Sequence, residues 1–408
     1  MKIEELSYVI NPGAHCDLFG AVMIAAGIED LKILVVGTEE CTYYSKNFIF
    51  EYGKKDKDES LLMLPLTDKE IVLGIGEKLL QSIDEIIKLY SPKILLIVTT
   101  CIIELTGEDI EGIIKSIEKK YNTKILLMRT EHFKCDNYIK GMGKTINLLG
   151  DLIEENKTSK SFNILGMRYK RGENSEICKL LQSKGISLNK IVPYSIENLQ
   201  DIKSLSKAKL NIVVDITGME LAEYMYKKFE IPYINLIKIG DIEFLKNEYL
   251  KLEQVLNIDI KTEVEILIND IQNLKMKIGE KILKTKKAIV APISVSAIEI
   301  AKLIETIKII SEIVVVKEIY NFEEESATQL KAKYGTRFVK SGNLEPIREL
   351  YNKLNINYFI GMEYPQVLSK CRIKHLNINY LSEGKFGLEA VKDIFFKISK
   401  ECDKDEKI

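Results

Sequence analysis

The chain has 408 residues, a length that exceeds one ordinary core and predicts two or three domains. Its hydrophobic fraction of 46% is normal for a globular protein. Its 59 basic and 60 acidic residues give a formal net charge of -1, which argues against nucleic-acid binding because that function needs a basic face. The first residues contain no apolar signal core and no apolar run is long enough to span a bilayer, so we expect a cytoplasmic protein that is not bound to a membrane.

The first predicted domain alternates short apolar strands with amphipathic helices, which is typical of parallel α/β proteins. Residues 33–36, 93–98 and 124–128 are predicted as buried strands because they are short, apolar and continuous. An apolar stripe at helical spacing lies between the first two of them, after a possible capping box formed by Thr67 and Glu70.

Two further α/β units follow a polar stretch at residues 154–160 that resembles a linker. We predict a long helix over residues 262–284 and a closing helix over 387–398. The sequence therefore predicts an α/β fold of three Rossmann-like, doubly wound parallel-sheet domains. Their predicted boundaries are 1–158, 159–285 and 286–408. Their strands are predicted near residues 162–165, 210–214 and 233–236 in the second domain and near 288–291, 313–316, 358–360 and 376–378 in the third.

Two glycine-containing segments imitate phosphate-binding loops and do not match them. Gly143-Lys144-Thr145 resembles the end of a P-loop. However, Tyr138 stands where that motif requires its first glycine, and the segment is predicted to be helical. Gly74-Ile75-Gly76 lacks the third glycine of a dinucleotide fingerprint. We therefore expect this chain to bind no nucleotide itself.

Seven cysteines are spread widely through the sequence. In a reducing compartment they are not expected to form disulfides. The sequence contains no C-x-x-C pair, which excludes a zinc ribbon or a thioredoxin-type motif, and its three histidines argue against a His-rich metal site. The cysteines are Cys16, Cys41, Cys101, Cys135, Cys178, Cys371 and Cys402.

Three of these cysteines are predicted to meet at one edge of the first sheet. Cys16 stands just before an apolar helix, whereas Cys41 and Cys101 each follow a predicted strand, so all three are expected in loops. Open α/β sheets bind ligands at that edge, and helix amino ends favour anionic thiolates there. Iron–sulfur clusters need thiolate ligands, and three from one chain would leave the fourth position to a partner. The residues alone leave open that each is a buried, inert thiol.

The segments around these cysteines resemble the nitrogenase component 1 family. Residues 10–22, which include Cys16, are similar to the amino-terminal cysteine segment of the molybdenum–iron protein, especially its β subunit. Residues 36–41 resemble the second cysteine loop of the family, and residues 99–110 resemble the third, which is the most specific of the three. The similarity continues more weakly through all three predicted domains.

The resemblance implies a subunit of three Rossmann-like domains that pairs with an identical or related component 1 subunit. It implies that Cys16, Cys41 and Cys101 hold a [4Fe-4S] or a larger P-type cluster at the interface. It also implies that electrons arrive from a separate ATP-hydrolysing iron protein.

The sequence departs from true nitrogenase where the family anchors its catalytic cofactor through one Cys and one His. Asp215 or a neighbour occupies the cysteine position, and the histidine position falls on Asn377 or Asn379, with His375 out of step. Carboxylate and carboxamide groups do not replace a thiolate and an imidazole on such a cofactor, so dinitrogen reduction is not expected. Glu40 stands where the family has a glycine before the second cysteine, which leaves the cluster type open.

Other residues are weaker candidates. Cys135 follows the strand at 124–128 and is either a cluster ligand or contact, or a buried loop thiol. His15 either donates a hydrogen bond to the cluster or packs locally, and His132 is either a proton donor or a plain surface residue. The acidic run at residues 323–325 is predicted to be a solvated helix start.

Three functions compete. The leading one is a reductase subunit that passes electrons through its cluster to an organic substrate or a tetrapyrrole. In relatives such as the protochlorophyllide and nickel-sirohydrochlorin reductases a cavity replaces the anchored cofactor, which agrees with the missing Cys and His. The alternatives are a scaffold for metallocofactor assembly and a cluster-bearing partner subunit without a substrate site.

Overall fold

The structure is a computed structural model that describes residues 16–52, 60–121, 123–131, 137–292, 295–340 and 344–404. Each of its three sheets is entirely parallel, with helices in the connections, so the predicted α/β class is confirmed. No helix among the described residues combines the length and apolar character needed to span a membrane.

The first sheet has the strand order β2-β1-β3-β4. Its central strands are continuous apolar runs, and β3 is buried along its whole length, which fits a sheet covered on both faces. The strands are β1 (Leu31–Gly37), β2 (Leu61–Pro65), β3 (Ile94–Thr99) and β4 (Lys124–Arg129). The helices are α1 (Asp17–Ala25), α2 (Glu39–Tyr52), α3 (Asp68–Leu73), α4 (Gly76–Tyr90), α5 (Cys101–Thr106), α6 (Ile110–Glu118) and α7 (Tyr138–Leu148).

The capping box at Thr67 is present but begins a different helix from the one that was predicted. The Thr67 backbone N–H donates to the Glu70 carboxylate at 2.8 Å and so caps the short helix α3. Gly74 follows with a φ of 98°, a backbone conformation that glycine adopts without strain, and the apolar stripe begins only in α4. The structure therefore has two helices, α3 and α4, where the sequence predicted one.

The second and third sheets share one hydrophobic core. The long helix α12 (Lys261–Lys281) packs along the closing helix α18 (Leu388–Lys404), and buried residues of both sheets belong to one cluster. The second sheet, in the order β6-β5-β7-β8, contains β5 (Ser161–Met167), β6 (Ser187–Pro193), β7 (Leu210–Val213) and β8 (Tyr233–Asn235). Its helices are α8 (Glu176–Ser183), α9 (Leu199–Lys203), α10 (Met219–Phe229), α11 (Ile242–Leu256) and α12 (Lys261–Lys281). The predicted domain boundaries remain a prediction.

The third sheet has five strands in the order β11-β10-β9-β12-β13. They are β9 (Lys286–Ala291), β10 (Ile309–Val316), β11 (Arg337–Lys340), β12 (Tyr358–Gly361) and β13 (Lys374–Leu376). The helices are α13 (Ala297–Glu305), α14 (Glu324–Tyr334), α15 (Glu345–Arg348), α16 (Leu350–Lys353), α17 (Pro365–Lys370) and α18 (Leu388–Lys404).

Helix α7 contains the segment that imitates a P-loop. Gly143, Lys144 and Thr145 all lie inside the helix, as predicted, so their backbone N–H groups do not form a phosphate-binding loop. Lys144 instead reaches across to Asp17, the first residue of α1, with its Nζ 3.4 Å from the carboxylate.

Candidate functional site

Cys16 is held by the packing of α1 against α7. It is the residue before the first turn of α1, and its carbonyl accepts the Phe19 N–H at 3.3 Å. The two helices approach closely at two glycines, since a Cβ on Gly20 would lie 1.9 Å from the Tyr138 carbonyl oxygen and one on Gly141 would lie 1.9 Å from that of Asp17. This close crossing fixes Cys16 beside the carboxyl edge of the first sheet.

Cys41 and Cys101 follow two neighbouring strands. β1 and β3 pair in parallel with Val36 opposite Thr99, so both chains leave the sheet at the same edge. Cys101 is the first residue of α5. Cys41 lies in the first turn of α2, where its N–H points to the Thr38 hydroxyl at 3.4 Å. The prediction that all three cysteines lie in loops is therefore wrong for Cys41 and Cys101, since the chain enters a helix directly after each strand.

The three thiols lie close enough for their charges to act on one another. Burial, with smaller contributions from negative charge on Asp17, Cys41 and Cys101, raises the pKa of the Cys16 thiol to about 12. Burial also raises the pKa of Cys41, with a contribution from Cys101. Three partly buried thiols that destabilise one another as thiolates are an environment that a cationic metal centre stabilises.

Two buried oxygen atoms beside the cysteines lack a hydrogen-bond partner in the described part of the chain. They are Oδ1 of Asp17, next to Cys16, and Oγ1 of Thr100, next to Cys101. Buried polar groups are rarely left unsatisfied, and the sulfur atoms of a cluster accept hydrogen bonds from such hydroxyls. The Thr100 hydroxyl, which lies against the backbone of Gly37 at the end of β1, is thus a donor without an acceptor among the described residues at this edge of the sheet.

Thiolates are the ligands that iron–sulfur clusters require. Within the described residues no group of three or more His, Cys, Asp or Glu side chains is arranged to hold one metal ion. The thiolates of a cluster bind different iron atoms, so they are spaced more widely than the ligands of one ion. Glu40 is exposed, and hydrogen bonds with its own backbone and Thr38 lower its pKa, but its charge still contributes to raising the pKa of Cys41.

The other cysteines and histidines are placed as follows. Cys135, His15 and His132 lie outside the described residues, so their predicted roles remain predictions. Cys178 is buried in the second unit, where its thiol donates to the Gly172 carbonyl at 3.3 Å. Cys371 ends α17 in the third unit, far along the chain from the three clustered cysteines.

A partly open cleft lies where segments of all three units meet. Ile139 of α7 lines it from the first unit, Asp215 from the second, and the segments after β9 and β10 from the third. None of the described residues that line it is a Cys or a His. Asp215 accepts hydrogen bonds from the N–H and the hydroxyl of Thr217 at 3.1 and 2.6 Å, while the His375 ring is hydrogen-bonded to the Gly361 carbonyl.

The acidic run at residues 323–325 is only partly what the sequence predicted. Glu324 and Glu325 are exposed in the first turn of α14, as expected, but Glu323 is 3% exposed and lines the cleft. A second acid that the sequence analysis missed is Glu299, which is 1% exposed and accepts the Gly240 N–H at 2.9 Å. Its place on the first turn of an apolar helix gave no signal of burial.

Glu299 makes stability fall as the pH rises. Burial, with a contribution from Glu323, raises the pKa of Glu299 from its ordinary 4.5 to about 7. Between these values the unfolded chain has released a proton that the folded chain keeps, so folding becomes less favourable as the pH rises through this window. Between pH 4.5 and pH 8, the free energy of unfolding of Glu299→Gln should rise by on the order of 3 kcal/mol relative to that of the native protein.

Thermal unfolding midpoints at a series of pH values test this expectation. The difference between Glu299→Gln and the native protein should rise from pH 5 to pH 7 and then level off. Glu325→Gln is the control, since that side chain is already exposed in the folded protein. A difference for Glu299→Gln that is constant with pH contradicts the expectation.

Comparisons with known proteins agree with this architecture. The model of the nitrogenase component 1 type oxidoreductase family matches residues 16–383. The iron-molybdenum cofactor biosynthesis protein NifE of Clostridium pasteurianum is 30% identical over 257 residues, which are 61% of this chain and 55% of that protein. NifE of Rippkaea orientalis is 23% identical over 392 residues, 93% of this chain and 83% of that protein.

A further relative and one solved structure extend the comparison. One of the subunits of the light-independent protochlorophyllide reductase of Heliobacterium modesticaldum is 26% identical over 249 residues, 58% of this chain and 46% of that protein. The chain thus spans about half the length of the first curated relatives it matches. The structure described as nitrogenase Cp1 at pH 6.5 aligns with a TM-score of 0.75 at 18% identity and covers 99% of this chain and 95% of that one, a likeness of fold.

Proposed function

The chain belongs to the nitrogenase component 1 type oxidoreductase family, and from that premise we propose that it is the cluster-bearing subunit of a nitrogenase-like reductase. The predicted resemblance of the chain to that family is confirmed. The proposal extends to electron supply by a separate ATP-hydrolysing iron protein and to reduction of an organic substrate.

The observation that carries the proposal is the convergence of three thiols at one sheet edge. Cys16, Cys41 and Cys101 are the proposed ligands, with Cys135 as a weaker candidate. The unsatisfied Thr100 hydroxyl would donate a hydrogen bond to the bound group. An iron–sulfur cluster held there, either [4Fe-4S] or a larger P-type cluster, would supply one-electron storage and transfer.

The cysteine site and the cleft are separated by one helix. Helix α7 packs against α1 through Gly141, on the side of Cys16, and its Ile139 lines the cleft. The same turn of α7 therefore connects the cysteine site with the cleft. The absence of Cys and His from the described lining supports an organic substrate over an anchored metal cofactor, and it argues against dinitrogen reduction.

The proposed assembly pairs this chain with an identical or related component 1 subunit. Three thiolates do not complete the coordination of a four-iron cluster, so a further ligand from outside this cysteine triad is required. Exposed apolar side chains near the cysteines, among them Tyr43 and Tyr44 on α2, would be covered by that partner.

A second candidate function is a scaffold for metallocofactor assembly. The observation in its favour is the similarity to NifE, whose name describes iron-molybdenum cofactor biosynthesis. The lining of the cleft favours the reductase over this alternative, and over a partner subunit without a ligand site, because it presents carboxyl and hydroxyl groups and no soft metal ligand among the described residues.

Anaerobic purification with iron quantification and electron paramagnetic resonance tests the proposal. The protein should carry an oxygen-sensitive cluster whose signal changes when a nitrogenase-like iron protein and ATP are added together. Either component alone is the control and should leave the signal unchanged. A protein without iron contradicts both candidates, whereas a bound molybdenum- or iron-rich cofactor beyond the cluster would favour the scaffold.

A further inference from the structure

Ser296 and Glu323 form a hydrogen-bonded pair in the wall of the cleft. Both residues line it, and Glu323 is almost wholly buried. The Ser296 hydroxyl lies in hydrogen-bond contact with one carboxyl oxygen of Glu323, and the Tyr320 backbone N–H donates to the other at 3.0 Å. The pair belongs to two loops, one before α13 and one after β10, so the fold of the third unit brings together two residues that are distant in sequence.

The hydrogen-bonding capacity of the serine hydroxyl allows the pair to carry one extra proton. Ser296 also accepts the Glu299 N–H at 3.1 Å, as the cap of α13. A hydroxyl has one donor and two acceptor sites, so Ser296 is able to accept from Glu299 N–H and from a protonated Glu323 together. Its own hydrogen is then directed elsewhere, and the cleft is the open side.

Burial favours the protonated form of Glu323, while the hydrogen bonds from Ser296 and Tyr320 lower its pKa. Burial raises the pKa of Glu323, and burial raises that of Glu299 to about 7. The charges of the two acids act on each other and on the buried Tyr380, so ionisation of both at once is disfavoured.

The other charged residues of the lining do not neutralise Glu323. Glu318 is held by Lys140, at 3.6 Å, and by the Asn137 amide at 3.2 Å. Asp215 also lines the cleft and interacts with the partly buried Arg168, and Lys317 is the one cation in the described lining. Burial lowers the pKa of Lys317, and it makes no ion pair with Glu323 among the described residues.

We propose that the Ser296–Glu323 pair is a proton donor that faces the ligand of this cleft, and that the ligand is an apolar organic molecule with an accepting nitrogen or oxygen atom. The inference rests on the proposed function in taking the cleft as the ligand site. When the proton is transferred, the O–H bond of the pair breaks and an N–H or O–H bond forms on the ligand. The negative charge stays on Glu323, where the Tyr320 N–H and the Ser296 hydroxyl donate to it.

Labelling with dicyclohexylcarbodiimide tests whether Glu323 is a protonated acid that an apolar reagent reaches. This reagent reacts with protonated carboxyl groups in apolar surroundings, and mass spectrometry identifies the modified residue. We expect labelling of Glu323 in the full-length protein at pH 6 to 7 that declines as the pH rises. The exposed neighbours Glu324 and Glu325 serve as internal controls and should remain unlabelled.

Two probes of the same shape test the ligand class. Quinoline carries an accepting nitrogen and naphthalene does not, so quinoline should bind about tenfold more tightly and protect Glu323 from the carbodiimide. Glu323→Met should abolish that preference, whereas Glu324→Gln should keep it. Equal binding of the two probes to the native protein, or no labelling of Glu323 in the folded protein, overturns the inference. Neither measurement uses iron or an electron donor, so their outcome is independent of the cluster that the proposed function requires.

Discussion

Replacement of Cys16, Cys41 or Cys101 by Ala is expected to remove most of the iron from the anaerobically purified protein. Each thiolate binds a different iron atom of a cluster, so the loss of one leaves an iron atom without a protein ligand. The three thiols are also near neighbours whose charges act on one another, so no other described cysteine replaces a lost member. Iron per chain and the electronic absorption spectrum measure the effect.

The matched control for these variants is Cys371→Ala. Cys371 is also partly exposed, but it ends α17 in the third unit, so its removal should leave the iron content unchanged. Cys178 is a poorer control because it is buried in a core, where truncation lowers stability by itself. A triple variant of the three clustered cysteines that retains its full iron content and spectrum would end the proposal.

The central strands of all three sheets and one edge strand of each, β4, β8 and β13, could be predicted from the sequence, and the other edge strands could not. β1, β3, β5 and β9 are continuous apolar runs because both faces of a central parallel strand are buried. The three missed strands, β2, β6 and β11, all lie at sheet edges. Asn189 and Lys190 in β6 and the charged ends of β11 are polar residues that oppose aggregation at an edge and interrupt the apolar signal. β2 is an apolar run that the sequence analysis missed.

The location of the cysteines followed from the sequence, but their local structure did not. Parallel strands end at one edge, which is sufficient to bring Cys41 and Cys101 together once β1 and β3 are recognised. The helical start at Cys41 depends on Thr38, whose hydroxyl satisfies a free N–H of the first turn of α2. A capping threonine after a strand is easily interpreted as a loop residue.

The acids of the cleft could not be predicted, because their burial is a tertiary property. Glu323 stands first in a run of three acids that has the composition of a solvated helix start. Only the meeting of α13, β10 and the loop before α14 covers Glu323 and leaves Glu324 and Glu325 exposed. Local sequence carries no information on such an arrangement.

A charged substitution near the cysteines is expected to separate the proposed dimer. Leu73 at the end of α3 is 75% exposed and Leu105 at the end of α5 is 68% exposed, and these two helices lie side by side. Cys101 begins α5, so this apolar surface adjoins the proposed cluster. We expect Leu73→Glu/Leu105→Glu to turn a dimer into a monomer. Burial of each leucine contributes about 2 kcal/mol to the free energy of association, and a buried unpaired carboxylate would cost more than that.

Loss of the dimer should also lower the iron content. A cluster that takes a ligand from each side of an interface links iron binding to association, so weakening one weakens the other. Light scattering and iron quantification under anaerobic conditions measure both quantities on the same sample. In the native protein, the number of iron atoms per dimer distinguishes two types of cluster. One four-iron cluster gives about four iron atoms, and a larger cluster that pools six cysteines gives about eight.

Leu89→Glu is the matched control for the double variant. Leu89 is 76% exposed, but it lies near the end of α4, directly before β3 begins, and so at the amino edge of the sheet, opposite the cysteines. The same change of side chain there should leave the dimer and its iron intact. If the double variant at Leu73 and Leu105 stays dimeric, the proposed interface lies elsewhere. If the native protein is a monomer that nevertheless holds a full iron complement, one chain completes the coordination alone and the partner is not needed for the cluster.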